Sequence, residues 1–163
     1  MANLCEFSMK VVGENKENIE TFFHMLTQKG TTYMGRGAEA YLDGYNEENG
    51  KHSAEIYGDC KWSIKASLIL DAISMRTNPE MWTFGKTNWR DILEFVTLYE
   101  ASKQLDLDVE VYSSEPGCEF QEHYLCRHGE VEIDEWVYYT EEYDEEADEY
   151  VKTGGYEDWS FSI

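Results

Sequence analysis

The chain has 163 residues, 42% of them hydrophobic and 15% aromatic, enough apolar material for one domain (residues 1–163) with one sizeable core. Its formal net charge of -21 is unevenly spread: residues 1–103 carry 15 acids against 11 bases, whereas residues 104–163 carry 19 against 2. Such a surface excludes naked nucleic acid and anionic membranes as ligands, since both are bound through protein cations.

The opening MANLCEFSMKVVGENKENIE has a polar residue within every short apolar run, so it predicts no signal peptide. No run approaches the ~20 apolar residues of a membrane span, and the expected location is cytoplasmic. There, Cys5, Cys60, Cys118 and Cys126 are expected to remain thiols. Leu4 to Val12 alternates, with Cys5, Phe7, Met9 and Val11 on one face, which predicts a half-buried strand. Gly13 ends it. Asn15 or Asn18 caps a helix with Ile19, Phe22, Phe23 and Leu26 on one face, closed by Gly30.

From Thr31 to Leu42 the pattern weakens around Gly35 and Gly37, as in a strand with a bend or bulge. With the turn signal Asn49-Gly50 and the alternating His52 to Gly58, this stretch predicts a hairpin with a long loop. Ser63 caps a helix carrying Ile64, Leu68, Ile69, Ala72 and Ile73, and Asn78-Pro79 stops it. After a loop with Trp82 and Gly85, Asn88 and Asp91 resemble an N-cap arrangement. Trp89, Ile92, Leu93, Val96, Tyr99 and Lys103 then predict one helical face. Leu107, Val109 and Val111 open an antiparallel meander that turns at Glu115-Pro116-Gly117, returns through Cys118 to Cys126, and turns again at His128-Gly129 into Val131 to Tyr139.

Beyond Tyr139 the period changes. Tyr139, Tyr143, Ala147 and Tyr150 recur every three or four residues, predicting a short helix with Glu141, Glu142, Glu145, Asp148 and Glu149 outside. Gly154-Gly155 ends it, and Tyr156 to Ile163, with Trp159 and Phe161, is aromatic enough to dock on the domain.

The order read off the chain is β-α-β-β-α-β. Within it, ANLCEFSMKVVG ahead of the helix at Asn15, KWS at Lys61 to Ser63, and EPGCEF at Glu115 to Phe120 ahead of Gly129 resemble the YubB-type ferredoxin-like domain proteins of plasmids and phages. The likeness covers roughly residues 3–133 by order of elements. Leu4 stands where that family usually has tryptophan, and the acidic extension after Glu135 lies outside its pattern. The resemblance implies an α+β fold: a ferredoxin-like βαββαβ antiparallel sheet with helices on one face, over residues 1–133, extended by a C-terminal meander and a short acidic helix in an aromatic-rich extension, residues 134–163. It also implies a mobile-element origin, and it carries no catalytic residue across.

Chemistry-bearing clusters are sparse. His123, Cys126 and His128 lie close in sequence, but no paired CxxC accompanies them, and a strand points His123 and Cys126 to opposite faces. The acids of residues 141–149 lack the mid-loop glycine of a calcium loop, and Gly35-Arg36-Gly37 is too short for a phosphate loop. Cys60, Cys118 and His24 have no motif around them, so no catalytic residue, metal ion or cofactor is expected. The segment Glu130 to Tyr150 holds eleven carboxylates in twenty-one residues and no base. Its tryptophan and tyrosines argue against disorder. Ordered carboxylates interleaved with aromatics imitate phosphates and bases, which makes Glu141, Glu142, Tyr143, Asp144, Glu145, Glu146, Asp148, Glu149 and Tyr150 the candidate partner-binding residues. The expected partner is a basic protein surface, that of a nucleic-acid-binding host defence protein such as a CRISPR effector nuclease. The alternative is a small-ligand-binding or enzymatic domain with a pocket near residues 78–88.

Overall fold

The computed structural model describes residues 3–82 and 94–163. Strand β1 (Leu4–Gly13) buries Cys5, Phe7, Met9 and Val11 as its period-two pattern requires. The Asn15 side chain accepts from the Glu17 N–H at 3.0 Å and starts helix α1 (Lys16–Leu26), whose Ile19, Phe22, Met25 and Leu26 are buried.

The stretch after α1 departs from the expected bent strand. It splits into β2 (Thr32–Met34) and β3 (Glu39–Glu48), separated by glycines of positive φ at 35 and 37. At Gly35 a Cβ would lie 2.2 Å from the Ser67 carbonyl oxygen, so this close approach requires glycine. The expected long hairpin loop is instead a two-residue turn. Asn49 and Gly50, at φ 53 and 76, join β3 directly to β4 (Lys51–Lys61), and a register shift between Asp43 and Asn46 absorbs the irregularity.

Ser63 Oγ accepts from Ala66 N at 2.9 Å and caps the next helical segment, a π-helical turn (Ala66–Leu70) running into α2 (Asp71–Thr77). Asn78-Pro79 stops it as expected, with a single 3-10 turn (Pro79–Met81) following. Of the helix predicted from Asn88 to Lys103, residues 88–93 lie outside the described residues. The rest differs from the prediction: Glu94–Val96 forms strand β5, paired in parallel with β2, and helix α3 (Leu98–Leu105) begins only after it. The reason is a capping box, in which Thr97 Oγ1 accepts from Glu100 N at 3.0 Å while Glu100 Oε1 accepts from Thr97 N at 3.3 Å.

Strands β6 (Asp108–Glu115), β7 (Phe120–Arg127) and β8 (Glu130–Asp144) form the expected meander, and β9 (Glu149–Gly154) follows. The main sheet has seven strands in the order β3-β4-β1-β6-β7-β8-β9, every neighbouring pair antiparallel. The fold is therefore α+β. Helix α1 packs on β1 and β4, and α3 on β7, on the face that carries Phe7, Met9, Val11, Ile56, Val109, Val111 and Tyr124. Residues 156–163 cover part of the opposite face: Trp159 stacks on Tyr112 with centroids 6.2 Å apart, and Glu110 Oε2 accepts from Ser162 N at 2.6 Å. The docking predicted for this tail is what the structure shows.

Residues 139–150 form no helix. Strand β8 continues to Asp144, and the chain returns as β9. Pairing of β8 with β7 over Glu130 to Tyr138 already sets an extended backbone, which the β-favouring WVYYT and VKT segments prolong into a hairpin.

Candidate partner-binding surface

Where β7 begins at Phe120, opposite Tyr138, β8 runs on and pairs only with β9, from Tyr139↔Gly154 to Asp144↔Glu149. Residues 140–153 therefore form a two-stranded ribbon beyond the end of β7, exposed at nearly every position. Asp144 Oδ1 accepts from Glu146 N at 3.0 Å and Ala147 N at 3.3 Å, and Asp148 adopts φ 52; these short-side-chain acids shape the turn.

The strand geometry redistributes the predicted site residues. Glu141 and Tyr143 project to one side, opposite Lys152 and Tyr150, while Glu142 and Asp144 project to the other, opposite Val151 and Glu149. Glu145 and Glu146 lie in the turn. The expected helix with Glu141, Glu142, Glu145, Asp148 and Glu149 outside is thus corrected: the strands send Glu141 to one side and Glu142 and Glu149 to the other, with Glu145 in the turn. It does bring Tyr143 and Tyr150 together, their rings 5.4 Å apart at 65°, with the Tyr143 hydroxyl donating to Asp148. Tyr143 remains 49% and Tyr150 73% exposed.

Among the described residues, no cation lies within ion-pairing distance of any of the seven carboxylates from Glu141 to Glu149. Lys152 is the one basic residue of the ribbon. Its ammonium turns inward, donating to the Tyr156 carbonyl and to Gln121 Oε1, and so leaves the tip unneutralised. Asp144 and Glu149 are directly opposite each other, a like-charge pairing that destabilises an isolated hairpin. Same-side residues of a strand are about 7 Å apart and both sides carry acids, so the ribbon presents dense negative charge along a narrow rod.

A second acidic feature escaped the sequence. In-register pairing aligns Glu39, Asp59 and Glu6 across β3, β4 and β1, on the side of the sheet away from the helices. Tyr41 and Tyr57 lie one row along, their rings 5.6 Å apart. Period-two reading places each acid outside, but only the register shows that they line up.

His123 and Cys126 do project to opposite faces. The His123 Nε2 atom is 2.8 Å from Glu110 Oε1 and its ring stacks on Tyr112 at 4.0 Å, whereas Cys126 is in the core on the helix side. His128 instead pairs with Asp106 at 2.5 Å. Among the described residues, no group of three metal-ligating side chains forms. Three thiols are shifted away from thiolate chemistry. Cys60 is pushed up by its hydrogen bond to Cys5 and by burial, Cys118 by its hydrogen bond to Glu115, and Cys126 to about 11 by burial.

For the alternative pocket, residues 83–88 lie outside the described residues. Ser74, Met75, Met81 and Trp82 flank a cleft of about 1140 Å³ whose other wall includes Tyr33 and Arg36. Arg36 lines it, its guanidinium 5.0 Å from the Trp82 ring and its Nε 2.9 Å from Asp71 Oδ2. Comparison with family models, curated proteins and solved structures gives no match for this chain.

Proposed function

We propose that this protein is a non-enzymatic interaction protein whose β8–β9 hairpin enters the cationic groove of a nucleic-acid-binding protein and competes there with nucleic acid. The observation that carries this reading is the ribbon itself: seven carboxylates without an ion-pair partner among the described residues, held on a projecting hairpin with two exposed tyrosines between them. Two-stranded ribbons are marginal in water, and this one also sets like charges opposite one another. A basic groove offsets that repulsion, and the tyrosines supply flat apolar contacts where bases would stack. The plasmid and phage association of the family resembled makes a host defence nuclease, a CRISPR effector among them, the first partner to screen.

Affinity capture from host lysate at physiological salt, with nucleic acid digested beforehand, is the test. The expected result is recovery of a nucleic-acid-binding protein that nucleic acid then displaces. Recovery of none overturns the proposal. The cleft beside Arg36 and Trp82 supports a second reading, a small-ligand-binding domain. Stabilisation by a metabolite in a thermal-shift screen, together with failed capture, would favour it.

A further inference from the structure

At the opposite end of β4 from the Asn49-Gly50 turn, the chain makes a turn whose central residue is unexpected. Ser63 N donates to the Lys61 carbonyl at 2.9 Å, closing a three-residue turn on Trp62, which takes φ 68. Tight turns of this sign are strained for any residue with a side chain, and the strain is greater for a bulky one; glycine adopts them freely. Trp62 is also 48% exposed, and among the described residues its indole has no stacking or hydrogen-bonding partner. The backbone is thus held in an unfavourable conformation around a large apolar ring that contributes little to the core. Strained residues of this kind gather at ligand clamps.

The ring borders a surface pocket of about 210 Å³, lined also by Trp136, Phe120, Asn3, Ser63, Cys118 and Glu115. That is below the ~300 Å³ of common small-molecule sites and suits a single large side chain. Trp136 is 40% exposed and stacks on Phe120 at 3.9 Å, which fixes the orientation of the second indole. Glu115 is only 3% exposed. Its oxygens accept from the backbone N–H groups of Gly117 and Cys118 and from the Cys118 thiol, which hold the carboxylate in place and leave one of its about four lone-pair sites for a ligand. Among the described residues no lysine or arginine lines the pocket, and the whole chain carries -21.

We propose that Trp62 and Trp136, with the Glu115 carboxylate, form a pocket that takes one arginine side chain of a polypeptide. A guanidinium is planar, weakly hydrated and always charged; it stacks on indole faces and pairs with a carboxylate, whereas an apolar side chain would leave the negative potential unused. The pocket is separate from the acidic ribbon. Its failure would leave the hairpin reading intact, and the reverse also holds.

The test follows the indole N–H resonances of the intact protein by NMR while Ac-Gly-Arg-Gly-NH2 is added, with citrulline, leucine and glutamate peptides in parallel. Signals are assigned through the variants Trp62→Gly and Trp136→Phe. The arginine peptide is expected to shift the Trp62 and Trp136 signals saturably, and the neutral citrulline isostere to bind about tenfold more weakly. Trp62→Gly is expected to lose binding yet melt no lower than the parent, because it relieves the positive φ. The proposal is overturned if leucine binds as well as arginine, if arginine perturbs only ribbon signals, or if Trp62→Gly binds like the parent.

Discussion

Glu122 is the most consequential single side chain for the fold, and replacing it by glutamine tests how the sheet is joined to the helical segment at Ile64. The carboxylate is fully buried. Its Oε2 accepts from Ile64 N at 2.9 Å and Ser113 Oγ at 2.5 Å; its Oε1 accepts from Lys65 N at 3.1 Å and Tyr124 Oη at 2.7 Å. Glutamine keeps one acceptor oxygen and turns an NH2 group towards two donors. Two charge-assisted bonds at ~1.5–3 kcal/mol each are lost, about 3–6 kcal/mol in total. Removing a buried charge offsets part of this, leaving a net loss of about 2–4 kcal/mol. For a chain of this size that is a fall in Tm of roughly 5–15 °C. Circular-dichroism melts and urea titrations measure it, and amide exchange should show Ile64 and Lys65 losing protection first. If Glu122→Gln melts within about 2 °C of the parent and these two amides stay protected, the carboxylate is not what anchors the helical segment.

Val111→Asp places an unpaired carboxylate at a site with no solvent exposure, between Met9 and Tyr124, and should unfold the domain; a parent-like melt would mean the β6 register is wrong. Glu100→Gln keeps the capping box but removes the charge facing Arg76 at 2.7 Å. Burial alone would raise the Glu100 value, but Arg76 and Thr97 outweigh it and hold it below the ordinary range. Its stabilisation is therefore present above the unfolded value near 4.3 and lost as pH falls through the folded value. The Tm gap between parent and variant should shrink from pH 7 towards about pH 3; a constant gap refutes the linkage. Reversing Glu141, Glu145 and Glu149 to lysine should slow association with the captured partner at low salt and leave the rate near the parent's at high salt, where the Debye length drops from ~10 Å to ~3 Å. Surface plasmon resonance at the two salt concentrations reads this out, and an unchanged low-salt rate would move the binding surface off the ribbon.

Features set by neighbours in sequence were fully visible in it. The alternation of Cys5 to Val11, the face of α1 behind Asn15, the Asn49-Gly50 turn, the stop at Asn78-Pro79 and the meander from Leu107 to Tyr139 each follow from side-chain period or turn chemistry acting over a few residues. The acidity of the candidate site is equally a property of composition. Its shape is not, because Tyr139, Tyr143, Ala147 and Tyr150 fit a helical stripe while Tyr139, Glu141 and Tyr143 fit one side of a strand. The choice fell to the β7–β8 ladder, whose pairing over Glu130 to Tyr138 commits the backbone leading into the ribbon to an extended course. The same holds where the strain and burial are greatest. Nothing near Glu122 in the chain announces a carboxylate without solvent, for its donors at Ile64 and Lys65 stand nearly sixty residues away. Trp62 likewise reads as one more aromatic until the fold sets it beside Trp136 and Glu115. Contacts of that sequence separation are decided by which strands pair and in what register, and this is information that local propensity does not hold.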